Sequence, residues 1–210
     1  MMNNINMGYL HWGPCVGITK VDDHIIERLH KDGKKELESY NKSLAGHLKS
    51  QFKFNLDTAQ WFYEQITPIL QAYRKTHIQY HNLPERRIEL AYHDLWINFM
   101  KAGDFNPSHN HNGDYSFVIF VDVPKKLQKE IDEFEGTGAK PGSLLFEYGQ
   151  QARPPWATTG HAIIPETGMM YIFPALTQHW VHPFKSKCTR VSVSGNMVIE
   201  NRHELPDTYF

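Results

Sequence analysis

The sequence predicts a mainly β protein in which N-terminal helices pack against a sandwich or barrel of short strands. Three observations predict this class: apolar residues recur at helical spacing early in the chain, strand-like runs follow Pro84, and Pro and Gly separate those runs. With 210 residues, of which 40% are hydrophobic, the chain is long enough for one sizeable core and short for two. We therefore expect a single domain over residues 1–210, with a mostly helical buttress at 1–87 and a β core at 88–200.

Two helices are predicted before the strands begin. Asp22 and Asp23 stand ahead of a helical apolar spacing, which predicts a first helix over residues 22–31. Asp57 opens the clearest helix, which Pro68 is expected to kink. The apolar residues of this second helix keep the rhythm of a helix buried on one face: they are Trp61, Phe62, Ile66, Ile69, Leu70 and Tyr73.

Strand-like runs dominate the rest of the chain. They are rich in β-branched and aromatic residues, and they cover residues 88–100 (one or two strands), 115–123, 143–148, 161–164, 169–173 and 190–199. Residues 125–134 are expected to form a short amphipathic helix or a charged surface excursion. Residues 150–160, rich in Pro and Thr, are either a lid or an ordinary surface loop.

Charge and cysteine content narrow the classes of partner. The formal net charge is −1, so no broad attraction to nucleic acid or to an anionic membrane is expected. The two cysteines are far apart, which argues against a disulfide scaffold and fits a reducing compartment. No apolar run approaches the roughly 20 residues of a membrane-spanning helix. We expect a soluble, cytoplasmic protein with no membrane partner.

Among the 13 histidines, spacing singles out three. His109 and His111 stand at i and i+2, so on an extended chain their imidazoles point to the same side and can hold one ion. His179 offers a third imidazole far along the chain. Most of the other histidines lie among polar and charged neighbours and are expected to be surface residues.

The last predicted strand carries a polar stripe. Its period-2 alternation places Arg190, Ser192, Ser194 and Asn196 on one face. Taken alone, the stripe is typical of a half-exposed strand with its polar side chains in water. Beside a metal site it predicts instead the polar lining of a small barrel, where Arg190 can bind a carboxylate through its planar fork.

Several short motifs, in this order, resemble those of the Fe(II)- and 2-oxoglutarate-dependent oxygenases. They are Asn98-x-Met100-x-x-Gly103 before His109-x-His111, then Gly142-Ser143-Leu144-Leu145-Phe146, then Gly168-x-x-x-x-Phe173-Pro174 before His179, and finally Arg190-x-Ser192. More narrowly, the chain is similar to a group of such oxygenases common in marine phages and bacteria. The resemblance implies a double-stranded β-helix, or jelly roll, with helices packed on one sheet and a catalytic core at residues 88–200.

The resemblance also implies two cofactors, Fe(II) and 2-oxoglutarate, and roles for individual residues. His109 and His179 match the first and the distal iron ligand of the family. Arg190 follows His179 by eleven residues and matches the basic residue that binds the far carboxylate of 2-oxoglutarate. Further co-substrate contacts of the family are matched by Ser192, Asn98 and Met100, the last at a position where relatives often have tyrosine.

His111 departs from the family pattern, which is His-x-Asp/Glu. The carboxylate at that position completes a triad of two histidines and one carboxylate, which leaves three positions open on Fe(II). A neutral third ligand leaves the site one charge more positive, which should strengthen its hold on anionic 2-oxoglutarate. The first candidate ligand set is therefore His109, His111 and His179.

Two other assignments stay open. Asp114 is an alternative third ligand, provided that a bulge or turn at Asn112-Gly113 directs its carboxylate towards the metal. Alternatively, His111 is the first ligand and Gly113 stands at the acid position, which leaves a coordination site for halide.

The activity that the resemblance implies is an oxygenase reaction, with hydroxylation as the expected outcome. In it, 2-oxoglutarate is decarboxylated to succinate and CO2 while O2 supplies the inserted oxygen. Relatives oxidise protein side chains such as prolyl residues, small metabolites and nucleobases. The near-neutral charge favours a protein or peptide substrate over nucleic acid, and a phage-encoded enzyme would act in the host cytoplasm.

Two alternatives of other classes stay open. One is a cupin-type dioxygenase that uses three histidines and no 2-oxoglutarate, and the other is a catalytically silent jelly-roll binding protein. Arg190 favours the 2-oxoglutarate enzyme, because a cupin of that kind has no need of an arginine eleven residues after its last ligand.

Overall fold

The computed structural model describes residues 13–35, 38–149 and 160–204. Almost all of the predicted lid or loop at 150–160 therefore lies outside the described residues. The helices are α1 (Asp23–Gly33), α2 (Leu56–Tyr80) and α3 (Lys125–Asp132), with short 3₁₀ turns at Asn41–Ser43 and Arg202–Glu204. The strands are β1 (Gly17–Lys20), β2 (Gln51–Lys53), β3 (Leu90–Lys101), β4 (Asn106–His109), β5 (Tyr115–Asp122), β6 (Leu144–Glu147), β7 (Gly160–Ile163), β8 (Met169–Pro174), β9 (Gln178–Val181) and β10 (Thr189–Ile199).

The strands form two antiparallel sheets. A major sheet has the strand order β1-β8-β5-β10-β3-β2, and a minor sheet has the order β4-β9-β6-β7. Together they make a double-stranded β-helix with helices packed on one sheet, so the predicted fold class is confirmed. The N-terminal part of the chain is not only a helical buttress, because β1 and β2 join the two edges of the major sheet.

Helices α1 and α2 cover the outer face of the major sheet. Apolar side chains of α1 and α2 form one buried cluster with side chains of that sheet. The helix predicted to open at Asp57 begins one residue earlier, because the Asn55 side chain caps it by accepting a hydrogen bond from the Thr58 amide at 2.9 Å. Pro68 lies inside this helix. Among the described residues, no helix combines the length and apolar character needed to cross a membrane.

Every predicted strand region contains a strand, and residues 88–100, predicted to form one or two strands, contribute to a single strand, β3. Residues 125–134, predicted as a short amphipathic helix or a charged surface excursion, contain the helix α3, which buries Leu127 and Ile131. Strand β1 lies within residues 8–20, for which the sequence predicts a short strand or an entry arm. Three other short strands were not predicted: β2, β4 and β9. Each has only three or four residues, so none is long enough to show the alternation on which a strand prediction depends.

Strand β10 lies at the centre of the major sheet, between β3 and β5. Its two faces are chemically different. Val191 and Val193 are buried in the cluster beneath the helices. Arg190 and Ser192 are equally buried but line a cavity between the two sheets, so the polar stripe faces inward and not towards water.

Candidate functional site

A cavity of about 400 Å³ opens between the two sheets. Its walls are formed by the polar face of β10, by β3 and β4, by β9, and by the segment 43–48 that precedes β2. All three histidines singled out by spacing line this cavity, and so do Arg190 and Ser192. The topology thus gathers in one place residues that lie more than 80 positions apart in the sequence.

The three histidines form one cluster. His109 ends β4 and is paired in register with His179 of β9, while His111 follows β4 in the loop. One imidazole nitrogen from each of the three residues lies within 4.8 Å of the others. Within the described residues, no other group of histidine, cysteine or carboxylate side chains is gathered closely enough to hold a metal ion.

Backbone carbonyls orient two of these rings. The Nδ1 atom of His109 lies 2.7 Å from the Pro107 carbonyl oxygen, and that of His179 lies 2.8 Å from the Thr177 oxygen. A carbonyl oxygen only accepts, so Nδ1 carries the proton in both rings and Nε2 keeps its lone pair. The Nε2 atoms of His111 and His179 lie 3.1 Å apart, close enough for both to contact one ion.

Burial keeps the cluster neutral. Desolvation, followed by the neighbouring imidazoles, lowers the pKa of His111 to about 3. Desolvation likewise lowers the pKa of His179 to about 4 and lowers that of His109. Each ring is therefore a neutral imidazole near neutral pH, which is the form that binds a metal.

The loop that carries His111 depends on glycine. Gly113 has φ +116°, and a Cβ placed on it would lie 2.9 Å from the Met197 carbonyl oxygen. The same turn directs Asp114 away from the cluster, because its Oδ2 accepts a hydrogen bond from the Ile199 amide at 2.7 Å. Asp114 is not among the clustered groups. His111 is held in place by its own amide, which donates to the Ala175 carbonyl at 2.9 Å.

Arg190 lies at the base of the cavity and is 3% exposed. Its Nη1 donates to the Gly142 carbonyl at 2.6 Å, and its guanidinium lies 5.3 Å from the centre of the Phe120 ring. Its Nε has no partner among the described residues. Burial lowers the pKa of Arg190 to about 10, so the side chain remains a cation near neutral pH.

The other predicted co-substrate contacts divide into two groups. Asn98 and Ser192 line the cavity, and they face each other across β3 and β10. Met100 does not line it, although it was predicted to contact the co-substrate. It is 1% exposed and packs in the apolar cluster between the sheets, as the cross-strand neighbour of Arg190.

The mouth of the cavity holds a second buried charge. The Asp94 carboxylate lies 3.2 Å from Lys53 Nζ and 2.5 Å from His93 Nδ1. Burial alone would raise the pKa of Asp94, but hydrogen bonds from His93, Tyr40 and Lys53 outweigh that effect and leave the pKa below its ordinary value. Burial and the bond to Asp94 raise the pKa of Tyr40 to about 12.

Sequence reasoning missed Gln51, Tyr40 and Asn106, which all line the cavity. Gln51 and Tyr40 come from a stretch with a weak secondary-structure signal, and Gln51 acquires its role only by pairing with Asn98, 47 residues away. Asn106 lies within the histidine-bearing stretch, but nothing in its spacing distinguishes it from a surface asparagine.

Fold and site together define the class of protein. A jelly roll with three clustered imidazoles and a buried arginine facing one cavity is the arrangement expected of a non-haem iron enzyme with an acidic co-substrate. A family model described as "Putative 2OG-Fe(II) oxygenase" matches residues 94–196. This match and the fold show that the chain resembles the Fe(II)- and 2-oxoglutarate-dependent oxygenases, a family that implies Fe(II) and 2-oxoglutarate as cofactors.

Solved structures share this fold at low sequence identity. A Pseudomonas putida prolyl-4-hydroxylase is 12% identical with a TM-score of 0.53, over 88% of this chain and 92% of that protein. A viral collagen prolyl hydroxylase from Paramecium Bursaria Chlorella virus-1, in complex with 2-oxoglutarate, is 14% identical with a TM-score of 0.51, over 87% and 94%. A prolyl hydroxylase from Trichoplax adhaerens, in complex with a hypoxia-inducible-factor peptide fragment, is 11% identical with a TM-score of 0.55, over 93% and 87%. No curated protein sequence matches the chain.

Proposed function

We propose that the protein is a hydroxylase in which His109, His111 and His179 bind Fe(II) and Arg190 binds the far carboxylate of 2-oxoglutarate. The observation that carries this proposal is the buried Arg190 cation. It has an unpaired Nε and no ion-pair partner among the described residues, yet it faces the same cavity as three neutral imidazoles. A buried charge without a partner is costly, so an anionic ligand at this position would supply the counter-charge that the chain itself does not provide.

The histidine assignment is supported by the chemistry of the donors. Two of the rings donate through Nδ1 to carbonyls and keep Nε2 for a metal, as histidine ligands commonly do. Asp114 is engaged with the Ile199 amide instead. All three imidazoles are gathered, so the halide-type alternative, with Gly113 at the acid position, would leave His109 without a function.

The co-substrate end is supported by geometry. Ser192 follows Arg190 on the inward face of β10 and is 3% exposed. Its hydroxyl accepts from Asn98 Nδ2 at 3.5 Å, so its own proton remains available for a carboxylate. Arg190 would bind the same carboxylate through its guanidinium.

Fe(II) with bound 2-oxoglutarate supplies the chemistry of O2 activation and C–H oxidation. The chain's own residues orient these groups and exclude water. Leu144, Phe173 and Val181 form an apolar wall beside the histidines, which keeps the charges inside the cavity in a medium of low dielectric constant. Trp96 lies 5.6 Å from His111, ring centre to ring centre, and limits the space on the open side.

A protein or peptide is the proposed substrate class. The neighbours of known structure include prolyl hydroxylases, one of them in complex with a peptide fragment. The described mouth of this cavity is lined by polar side chains whose charges are already paired, as Asp94 is with Lys53. Such a mouth suits a neutral peptide segment better than a polyanion.

Anaerobic titration of the full chain with Fe(II), with and without 2-oxoglutarate, tests the proposal. A weak visible charge-transfer band should appear only when both are present. His179→Ala should weaken metal binding by about 100-fold or more, since even the loss of an outer partner of a ligand costs 10- to 100-fold. His182→Ala is the matched control, because His182 lies just beyond the same strand and does not line the cavity.

Two results would contradict the proposal. Failure of the wild-type chain to bind iron would leave a jelly-roll binding protein. Iron binding with no band from 2-oxoglutarate, together with O2 consumption that needs no keto acid, would favour the three-histidine cupin-type dioxygenase.

A further inference from the structure

Two of the described residues that line this cavity have side chains that readily lose one electron. They are Trp96 and Tyr40, and the described lining contains no other tryptophan or tyrosine and no cysteine or methionine. Indole and phenol rings are oxidised far more easily than phenyl, aliphatic or amide groups. A cavity in which O2 is activated exposes its own walls to a strong oxidant, so the positions of these two rings have chemical consequences.

Trp96 lies beside the histidine cluster. Its ring centre is 5.6 Å from that of His111, and its side chain is 3% exposed. The other rings that pack against the three imidazoles, among the described residues, are Phe146 and Phe173, and both contact His179. Phenyl rings resist one-electron oxidation. Within the described chain, Trp96 is therefore the one readily oxidised ring in contact with a proposed iron ligand.

Tyr40 extends the path from Trp96 towards the mouth of the cavity. The two ring centres are 5.9 Å apart, and the ring planes meet at 48°. Tyr40 is only half-buried, so its ring reaches solvent where that of Trp96 does not. Electron tunnelling through protein slows steeply with distance, and two steps between rings in contact are much faster than one step over the same total length. The two rings thus connect His111 with the surface.

The outer end of this path has a proton acceptor. The Tyr40 hydroxyl is hydrogen-bonded to the Asp94 carboxylate. Asp94 is ionised near neutral pH, since its pKa lies below the ordinary value. The Lys53 ammonium lies 5.5 Å from the centre of the Tyr40 ring, so a positive charge on that ring is unfavourable. Tyr40 therefore loses an electron most easily when its proton leaves at the same time, and Asp94 is in position to accept that proton.

We infer that Trp96 and Tyr40 form an electron relay, which reduces the metal centre when O2 has been activated and no primary substrate is bound. This inference rests on the proposed function, because the oxidant is the metal centre after its reaction with O2 and 2-oxoglutarate. The relay adds a second activity to the proposed hydroxylation, which is protection of the site against its own oxidant. Tyr40 lies outside the family match at residues 94–196.

Electrons and protons balance in each passage through the relay. Trp96 gives one electron to the metal centre and takes one from Tyr40, which gives its phenolic proton to Asp94. The phenoxyl radical left on Tyr40 takes one electron from a one-electron reductant in solution and recovers its proton from Asp94. Two passages, with two protons from water, convert 2-oxoglutarate and O2 into succinate, CO2 and one water molecule. The reductant is oxidised, and the side chains are left unchanged.

Freeze-quench electron paramagnetic resonance of the full chain tests this inference. The protein loaded with Fe(II) and 2-oxoglutarate is mixed with O2 in the absence of any primary substrate, and the frozen samples are examined for an organic radical. The wild-type chain should give a tyrosyl radical, whose signal narrows when ring-deuterated tyrosine is incorporated. Ferrocyanide, an outer-sphere one-electron reductant, should remove this signal and be oxidised as O2 is consumed.

Two substitutions interrupt the relay at different points. Tyr40→Phe removes only the hydroxyl and should replace the tyrosyl signal with a tryptophan radical, which tyrosine deuteration does not narrow. Trp96→Phe keeps an aromatic wall and should abolish the tyrosyl signal. Both variants should retain the charge-transfer band with Fe(II) and 2-oxoglutarate, which shows that the fold and the site are intact. Trp61→Phe and Tyr80→Phe are matched controls outside the cavity lining and should give the wild-type signal.

The outcomes separate this inference from the proposed function. If the charge-transfer band forms and O2 is consumed but the wild-type chain gives no tyrosyl radical, the relay is overturned and the proposed function stands. A tyrosyl signal that survives in Tyr40→Phe or in Trp96→Phe would also overturn the relay, because the radical would then lie on another tyrosine or be reached by another route. Absence of the charge-transfer band itself would contradict the proposed function and the relay together.

Discussion

The mouth and the base of the cavity each hold a buried charge, but the chain provides partners for only one of the two. At the mouth, the Asp94 carboxylate is surrounded by partners from the chain itself: Lys53, His93 and Tyr40. At the base, Arg190 is more deeply buried but has one carbonyl partner and a free Nε. Both residues line the same cavity, and the more deeply buried of the two charges has fewer partners from the chain.

This difference separates a structural charge from a functional one. A charge that the chain neutralises needs nothing further and stabilises the loop and strands around it. A charge that the chain buries without neutralising it destabilises the free protein and is compensated only when a ligand of opposite sign binds. Stability measurements with and without the ligand therefore discriminate the two ends.

The largest effect is expected for Arg190→Met. With Zn(II) present, 2-oxoglutarate at a concentration 100 times its Kd should stabilise the wild-type chain by about 2.7 kcal/mol. Loss of the guanidinium should weaken 2-oxoglutarate binding by about 100-fold, which reduces that gain to about 0.4 kcal/mol at the same concentration. In urea unfolding without 2-oxoglutarate, the variant should be as stable as the wild type or more so, because an unpaired buried charge has been removed.

Arg87→Met is the matched control, since Arg87 is 86% exposed and pairs with Glu89 on the surface. It should retain the full stabilisation by 2-oxoglutarate. Equal loss of Zn(II) and 2-oxoglutarate binding in Arg190→Met would indicate misfolding. Undiminished stabilisation by 2-oxoglutarate would remove Arg190 from the co-substrate site.

A smaller effect is expected when a negative charge is added at the histidine cluster, between the mouth and the base of the cavity. His111→Asp restores the carboxylate of the family pattern and makes the metal site one unit less positive. It should keep metal binding but weaken 2-oxoglutarate binding by about tenfold, because the co-substrate is an anion. Titration of 2-oxoglutarate against the charge-transfer band of the Fe(II) protein measures this.

The neutral counterpart His111→Asn separates charge from the loss of the imidazole. It should weaken metal binding and leave the affinity of the remaining metal complex for 2-oxoglutarate closer to that of the wild type. Tighter 2-oxoglutarate binding by His111→Asp than by His111→Asn would contradict a role for the neutral ligand in holding the co-substrate.

The sequence was sufficient to predict the fold class and the three histidines and the arginine that the cavity brings together. Long strands such as β3 and β10 can be predicted from their composition and alternation, and α2 can be predicted from its apolar spacing. His109, His111, His179 and Arg190 were found because spacing and family motifs act within short stretches of chain. The proposal that they bind metal and co-substrate is tested by the experiments above.

The partners of these residues could not be predicted in the same way. Gln51 meets Asn98 only through the pairing of β2 with β3. Met100, which the family resemblance implied as a co-substrate contact, packs in the apolar cluster instead. The buried state of Arg190 also depends on the minor sheet closing over it, since Gly142 provides its one backbone acceptor. Long-range pairing of this kind leaves no local pattern in the sequence.

The smallest effect is expected at the mouth, for Asp94→Asn. The folded-state pKa of Asp94 lies below its ordinary value, so its carboxylate stabilises the protein above the unfolded-state pKa of about 4. That stabilisation is lost as the pH falls through the lower folded-state pKa. Urea unfolding should therefore show the variant to be less stable by about 1 kcal/mol at pH 7, with the difference shrinking at pH values below about 4.

Glu89→Gln serves as the control, since its ion pair with Arg87 is exposed and should contribute little at any pH. The prediction for Asp94 also differs in kind from that for Arg190. Because the chain itself neutralises Asp94, its contribution should be the same with and without 2-oxoglutarate. A pH-dependent loss in Asp94→Asn that vanished when 2-oxoglutarate was added would mean that the mouth, too, is completed by a ligand.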